Sequence, residues 1–302
     1  MDNYKFSDIF SSEQLDIECN KFEQIIEDKY YFAKHTPAIF NNDTTSEFNG
    51  FVADLILNSD ESFSEQFFEY CKIPKLKVGQ RVSDATMERV RRILRGKATS
   101  DDLEFLESDK KATAKNLSVG LIQRIESLII NYICQIKNTS LGIGLESLPN
   151  TIQLLDNNSH KALLESIELA SQTGKYNKFI LSSKMANTLM VSEVSDKVSV
   201  IVYDTTCWTR NIDSLKEKKR FLPENYCILA NFDGSIEFQC TNSTEDVVQL
   251  LLYGRPLTDK KVCAYYTSNV EMNPPDVTAW AAITGYPKII KPENFKVFKL
   301  IV

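Results

Sequence analysis

From Lys110 to Ile136, apolar residues recur at Leu117, Leu121, Ile125, Leu128 and Tyr132 and again at Ile122, Ile129 and Ile133. Steps of three and four put them on one face, which predicts a long helix with a wide apolar stripe. About 25 residues at 1.5 Å each reach roughly 37 Å, enough to cross a domain. Gln123, Arg124, Glu126, Asn131 and Gln135 interrupt the stretch, so it is no membrane span. Ahead of it, Ser83 as N-cap and Gly96 just past the end delimit a helix over Asp84–Arg95, and Thr99 or Ser100 caps another that begins with Asp101 and Asp102.

Residues 1–34 are polar and acidic, with Leu15, Phe22, Ile25 and Ile26 at helical spacing, and predict one or two amphipathic helices of an arm. Between His35 and Val82 the texture changes. Pro37, the polar run Asn41–Ser46, Gly50, Pro74 and Gly79 punctuate extended segments at Phe51–Leu57 and Phe67–Leu76, the pattern of a long protruding loop.

Beyond Gly142, Gly144 and Pro149, short helices alternate with strands. A helix runs from Asn158 or Ser159 to about Ser171, and Gly174 ends it. The strand Lys178–Ser182 leads into Lys184–Leu189, and strands follow at Lys197–Tyr203, at Tyr226–Asn231 and, after a turn at Asp233-Gly234, at Ser235–Cys240. The last part is β: Lys261–Tyr266, Val277–Ile283 and Phe295–Val302, separated by prolines. An end as apolar as Phe295–Val302 is sticky unless it is paired, so this strand is expected inside a sheet. The pattern as a whole predicts an α+β fold.

Composition narrows the function. At 302 residues with 43% hydrophobic and 25% charged content, the chain can bury one large core or two modest ones. A net charge of −6 argues against a dedicated nucleic-acid binder, which needs Lys and Arg to neutralise phosphates, but is tolerated by a protein that encloses nucleic acid without gripping it. Seven scattered cysteines, with no Cys-x-x-Cys pair, read as reduced thiols. The opening Met1-Asp2-Asn3-Tyr4-Lys5-Phe6 does not have the pattern of a signal peptide, so a cytosolic, membrane-free origin is expected.

Candidate chemistry is sparse. The two histidines, His35 and His160, stand in different contexts, and no Ser, Cys or Asp lies in a nucleophile motif, so no metal, cofactor or catalytic residue is assigned. Gly142-Ile143-Gly144 lacks the third glycine of a dinucleotide fingerprint and follows a helix. Carboxylate pairs such as Asp101/Asp102 and Glu104/Glu107 suit helix starts, and Tyr265, Tyr266 and Trp280 suit a core. The dense basic cluster is Arg89, Arg91, Arg92, Arg95 and Lys97, whose arginines wind roughly opposite Met87, Val90 and Leu94. Three readings stay open for the arginines: a solvated face, a contact with acidic surface on a neighbouring subunit, or a nucleic-acid contact. Arg89, Arg91, Arg92 and Arg95 are taken forward as candidate subunit contacts.

The order of arm, loop, long helix, α/β unit and terminal strands resembles the Hong Kong 97-like major capsid proteins of tailed phages, in particular the lambda-type major head proteins. Phe68-Glu69-Tyr70-Cys71, Val82-Ser83-Asp84, Ala112-Thr113-Ala114-Lys115-Asn116-Leu117 and Arg124-Ile125-Glu126 are similar to that family's approach to its spine helix. Glu271-Met272-Asn273-Pro274-Pro275, Gly285-Tyr286-Pro287 and Pro292 are similar to its closing run. The likeness covers the chain from about residue 30. It implies an N-terminal arm over 1–35, an extended loop over 36–80, a peripheral domain from 81–144 with 256–302, and an axial domain over 145–255. It further implies a non-enzymatic virion protein that assembles in the host cytoplasm into the pentamers and hexamers of an icosahedral shell around double-stranded DNA. Partners would be other copies, a portal, decoration proteins and, because the chain is too short for a built-in scaffold, a separate scaffolding protein. No covalent cross-link is assigned to Lys75 or Lys77. Two alternatives remain: an encapsulin-like compartment of the same fold, distinguished by its neighbouring genes, and a cytosolic enzyme, which would need a concave site with perturbed carboxylates.

Overall fold

A computed structural model describes residues 5–40, 75–135, 152–155, 163, 165, 167–169, 173–188, 198–210, 216–241, 260–269 and 276–300. They form an α+β fold. The elements in chain order are α1 (Phe6–Ile9), α2 (Ser12–Cys19), α3 (Tyr31–Lys34), β1 (Ala38–Phe40), β2 (Lys75–Arg81), α4 (Asp84–Leu94), α5 (Ser100–Ile133), β3 (Ile152–Leu155), β4 (Lys178–Leu181) and α6 (Ser183–Thr188). There follow β5 (Ser199–Val202), β6 (Thr206–Arg210), β7 (Lys216–Arg220), β8 (Tyr226–Ala230), β9 (Ile236–Thr241), β10 (Cys263–Asn269), β11 (Asp276–Ile289) and β12 (Phe295–Leu300). The expected loop segment Phe51–Leu57, most of Phe67–Leu76, the glycines 142 and 144, His160 and most of the expected helix over 158–171 lie outside the described residues.

The chain divides into two compact units, residues 1–26, 38–124 and 239–285 in the first, and 27–37, 125–238 and 286–302 in the second. This differs from the expected grouping of 256–302 with 81–144. The reason is β12, which pairs with β8 and β3 and so belongs with the second unit.

The first unit is organised by the 14-residue β11. Its antiparallel partners are β10, from Cys263↔Ala282 to Asn269↔Asp276, and β2, from Thr278↔Arg81 to Thr284↔Lys75. A five-stranded sheet results, in the order β1-β9-β11-β10 with β2 also on β11. Trp280 stands opposite Gly79, whose missing side chain makes room for the indole: a Cβ there would lie 2.3 Å from the ring. Lys77 covers the same ring at 4.4 Å and donates to Tyr265 Oη at 2.8 Å, so Trp280 is a half-buried packing residue rather than a free stacking platform. At Gly120 of α5 a Cβ would meet Val78 Cγ1 at 2.8 Å, so glycine sets how closely helix and β2 approach.

The first part of the expected arm, to residue 26, is folded into this unit. Ile9 and Phe10 join Val82, Met87, Val90, Ile93, Leu106 and Val277 in one apolar cluster, each large side chain contributing about 1.5–3 kcal/mol by burial. Helix α2 lies along β10, the edge strand. Tyr266 N donates to Ser12 Oγ (3.1 Å), Ala264 N to Asp16 Oδ1 (2.9 Å) and Val262 N to Asn20 Oδ1 (3.0 Å), while Asn20 Nδ2 returns a bond to Val262 O (2.8 Å). Lys260 pairs with Asp16 Oδ2.

Helix α5 is one 34-residue helix, about 51 Å long, where two were expected. Ser100–Arg124 belong to the first unit and Ile125–Ile133 to the second. It ends at Ile133, short of the expected Ile136, and Gln135 follows with φ +51°.

The second unit holds a five-stranded sheet in the order β3-β12-β8-β4-β5, with β12 antiparallel to β8 and parallel to β3, and β4 antiparallel to β8 and parallel to β5. All five residues of β8 are buried, the signature of a strand covered on both faces. Phe179, Leu181, Cys227, Leu229 and Phe298 form the core with Leu163, Ile167 and Met185. The terminal strand is docked as its composition requires. The hairpin β6–β7 forms a separate two-stranded sheet. The six described cysteines are free thiols, all buried except the half-buried Cys207.

Candidate assembly surface

Helix α4 carries Arg89, Arg91 and Arg92 of the four candidate arginines, and Arg95 is its C-cap. Its start is set by Ser83, whose Oγ accepts from Thr86 N at 3.2 Å, and its end by Gly96 at φ +68°, which a side chain would strain. Thr86, Met87, Val90 and Ile93 are buried. Leu94, expected on the apolar face, is 41% exposed, and Ile93 takes its place. The 3.6-residue period explains the exchange: Thr86, Val90 and Ile93 step by four and three, which leaves 94 past the edge of the stripe.

The arginines divide into two pairs. Arg92 donates to Asp102 through Nε (3.2 Å) and a terminal nitrogen (2.5 Å), and Arg89 approaches the same carboxylate at 3.4 Å while its guanidinium lies 3.9 Å from the Phe105 ring centre. Asp102 is also half of a reciprocal cap at the start of α5: Asp102 N donates to Thr99 Oγ1 and Thr99 N to Asp102 Oδ2, both at 3.2 Å. Its side chain is 3% exposed. The bonds from Arg92, then those from Thr99, hold its carboxyl well below the usual carboxylate range. Arg89 and Arg92 therefore tie α4 to α5 within one chain. Arg91 is half-buried and Arg95 exposed, and among the described residues neither has an ion-pair partner.

Beside α2 and α5 a cleft of about 320 Å³ is lined by Gln14, Leu15, Glu18, Glu107, Lys110 and Tyr266, among others. Among the described residues no group of three His, Cys, Asp or Glu side chains could hold a metal ion, and no helix is long and apolar enough to cross a membrane.

The second unit holds a charged group that the pattern-based reading treated only as an interruption. Glu126 is fully buried. Its Oε1 accepts from Phe32 N (3.1 Å) and Tyr203 Oη (2.5 Å), and its Oε2 from Ala33 N (2.5 Å). These are the first-turn amides of α3, so Glu126 caps that helix from a distance in sequence. Burial raises its pKa to about 7 despite the three donors. A carboxyl with no exposed surface meets no substrate, so this perturbed acid is structural. Its position was discoverable: Ile122, Glu126, Ile129 and Ile133 step by four, three and four along the apolar stripe.

No protein-family model matches the chain, and no curated protein matches it in sequence. Solved structures similar to it include the capsid protein of a prophage of Escherichia coli CFT073, 13% identical, covering 76% of this chain and 77% of that one, at a TM-score of 0.48. A virus-like particle from Pyrococcus furiosus is 13% identical over 95% of this chain and 98% of that one, with a TM-score of 0.43. The satellite phage P4 procapsid with its size determination protein is 5% identical over 76% of each chain, with a TM-score of 0.39.

Proposed function

We propose that this chain is the shell-forming subunit of a tailed-phage capsid of the Hong Kong 97-like type, which assembles into pentamers and hexamers and encloses double-stranded DNA. The observation that carries the reading is the order of elements. Strands β1 and β2 place both ends of segment 41–74 in one sheet, the single long helix α5 follows, a compact unit is built on β4 and β8, and β12 closes the chain in that unit's sheet. The order is the one the sequence resemblance leads to expect.

On this reading the first unit with segment 41–74 serves as peripheral domain and extended loop, and the second as axial domain. The role is structural. Arg91 and Arg95 meet acidic surface on a neighbouring copy, which 41 acidic residues per chain provide. Repeated exposed ion pairs of about 0.2–1 kcal/mol each are weak enough to correct assembly errors. A separate scaffolding protein, a portal and decoration proteins complete the particle, built in the host cytoplasm. Sedimentation velocity of the full chain, expressed with the products of its neighbouring genes, tests this. Capsomers or shell-sized particles are expected, and a monomer under every assembly condition would overturn the proposal.

A further inference from the structure

Strand β5 lies at one edge of the second unit's sheet, with β4 as its neighbour. The ladder is parallel, with Val200 beside Phe179, Ile201 beside Ile180 and Val202 beside Leu181. Ser199 N donates to Asn177 O at 3.0 Å and Tyr203 N to Leu181 O at 2.8 Å, so the odd-numbered residues of this segment turn their backbone groups to β4. Val200 and Val202 turn theirs the other way. Among the described residues nothing bonds to these two N–H and two C=O groups. Their side chains are open too: Val200 is 38% and Val202 53% exposed, although Phe179 and Leu181 on the same face are fully buried.

The two units treat their edges differently. In the first, β10 is covered by α2, whose Ser12, Asp16 and Asn20 accept its outward N–H groups. In the second, Ser199-Val200-Ile201-Val202 has no such cover and contains no charged residue and no proline, the devices that keep a sheet edge from pairing. A second β5 laid antiparallel, with a two-fold axis at Ile201, puts Val200 opposite Val202 of the partner subunit and Ile201 opposite its own equivalent. Each Val200–Val202 pair then exchanges two hydrogen bonds, and every outward group of both strands is used. A shift of two residues either way faces an outward valine with a residue beyond the strand. No like charges meet in this register, because Ser199–Tyr203 carries none.

We infer that β5 is a contact surface for a second copy of this chain, which adds its own β5 antiparallel and joins the two sheets into one. Main-chain bonds supply the attraction and the valines on the shared face supply apolar contact, the mode of strand addition at an open edge. The contact is isologous, whereas rings of five or six copies are built from heterologous contacts, so it is additional to the proposed shell and does not depend on it. Four residues a side bury little area, which makes the pair weak and concentration-dependent.

The test is a symmetric disulfide in the full chain. The two Ile201 residues form a non-hydrogen-bonded pair with Cα atoms about 4.5 Å apart, within reach of a disulfide, whereas two Val200 or two Val202 residues stand about 8–9 Å apart, beyond it. Under mild oxidation at high protein concentration, Ile201→Cys should give a covalent dimer at least about tenfold faster than Val200→Cys or Val202→Cys, with wild type as the control for the chain's own thiols. Adding Val200→Lys and Val202→Lys to Ile201→Cys should remove that advantage. Circular dichroism checks folding. If a variant unfolds, hydrogen exchange of the wild type decides: the Val200 and Val202 amides should be protected at high protein concentration and not at low, while those of Ile201 and Tyr203 stay protected at both. Equal cross-linking rates for the three cysteine variants, or exchange at Val200 and Val202 that ignores concentration, would overturn the inference. Electron microscopy separates it from the shell: wild-type shells without the Ile201→Cys preference keep the shell and remove the pair, and the preferred dimer from a chain that forms no shells keeps the pair and removes the shell.

Discussion

Asp16 on α2 accepts the backbone N–H of Ala264 on β10 at 2.9 Å, the middle rung of a ladder in which a helix stands where the next strand of the sheet would be. Ser12, Asp16 and Asn20 are four residues apart and rise about 6 Å per step, while Tyr266, Ala264 and Val262 are two apart and rise about 6.8 Å. The near match lets one helix face satisfy three successive outward N–H groups. An edge strand left open would be a template for unwanted pairing.

Removing the middle rung should therefore cost stability. Asp16→Ala leaves the buried Ala264 N–H without its acceptor and Lys260 without its partner, an expected loss of about 1–3 kcal/mol. Asp16→Asn keeps an acceptor oxygen and should lose less. Urea unfolding of both variants checks the order, and equal midpoints for wild type and Asp16→Ala would show that the ladder carries no stability.

Glu126 predicts an unusual pH dependence. Its folded pKa of about 7 lies above the usual value of 4.5, so the folded state holds a proton that the unfolded state releases between those two pH values. The contribution is fully present below about 4.5, is lost as pH rises through about 7, and amounts to something on the order of 3 kcal/mol. The proton fits the site if Tyr203 Oη turns from donor to acceptor at the same 2.5 Å contact. Glu126→Gln cannot titrate. Stability of this variant relative to wild type should rise from pH 5 to pH 8, and parallel curves would contradict the assignment.

The arginines of α4 should separate by role. Arg91→Glu with Arg95→Glu, at positions without an ion-pair partner among the described residues, should leave circular dichroism and melting unchanged and impair assembly. Arg89→Ala with Arg92→Ala releases Asp102 and should lower the melting temperature of the subunit itself. Unimpaired shells from a folded Arg91/Arg95 variant would return those two residues to a solvated face.

What could be read from the sequence followed from local rules. Ser83 and Gly96 bracket α4 because capping and positive φ are local requirements, and β12 was expected inside a sheet because apolar Phe295–Leu300 has no stable exposed alternative. Tertiary context decided the rest. The sequence reads as two helices, one beginning with Asp101 and Asp102 and one over Lys110–Ile136, yet α5 runs unbroken from Ser100 to Ile133, with its start capped by Thr99 and Asp102 and tied to Arg92. The strand is expected to stop at Ile283 ahead of Pro287, yet β11 continues to Ile289, with Pro287 beyond Thr284, the last residue paired with β2. Lys216–Arg220 has no apolar alternation to mark it as a strand. The candidate site was half legible: the basic cluster was visible, and its division depended on Asp102, a partner set by tertiary packing.

Imaging tests the central claim most directly. The full chain, expressed with the products of its neighbouring genes, purified by size and examined by electron microscopy, should give closed particles with icosahedral symmetry whose subunit density holds α5 as a single rod about 51 Å long. A preparation of folded protein that contains only single subunits under every assembly condition would contradict the account.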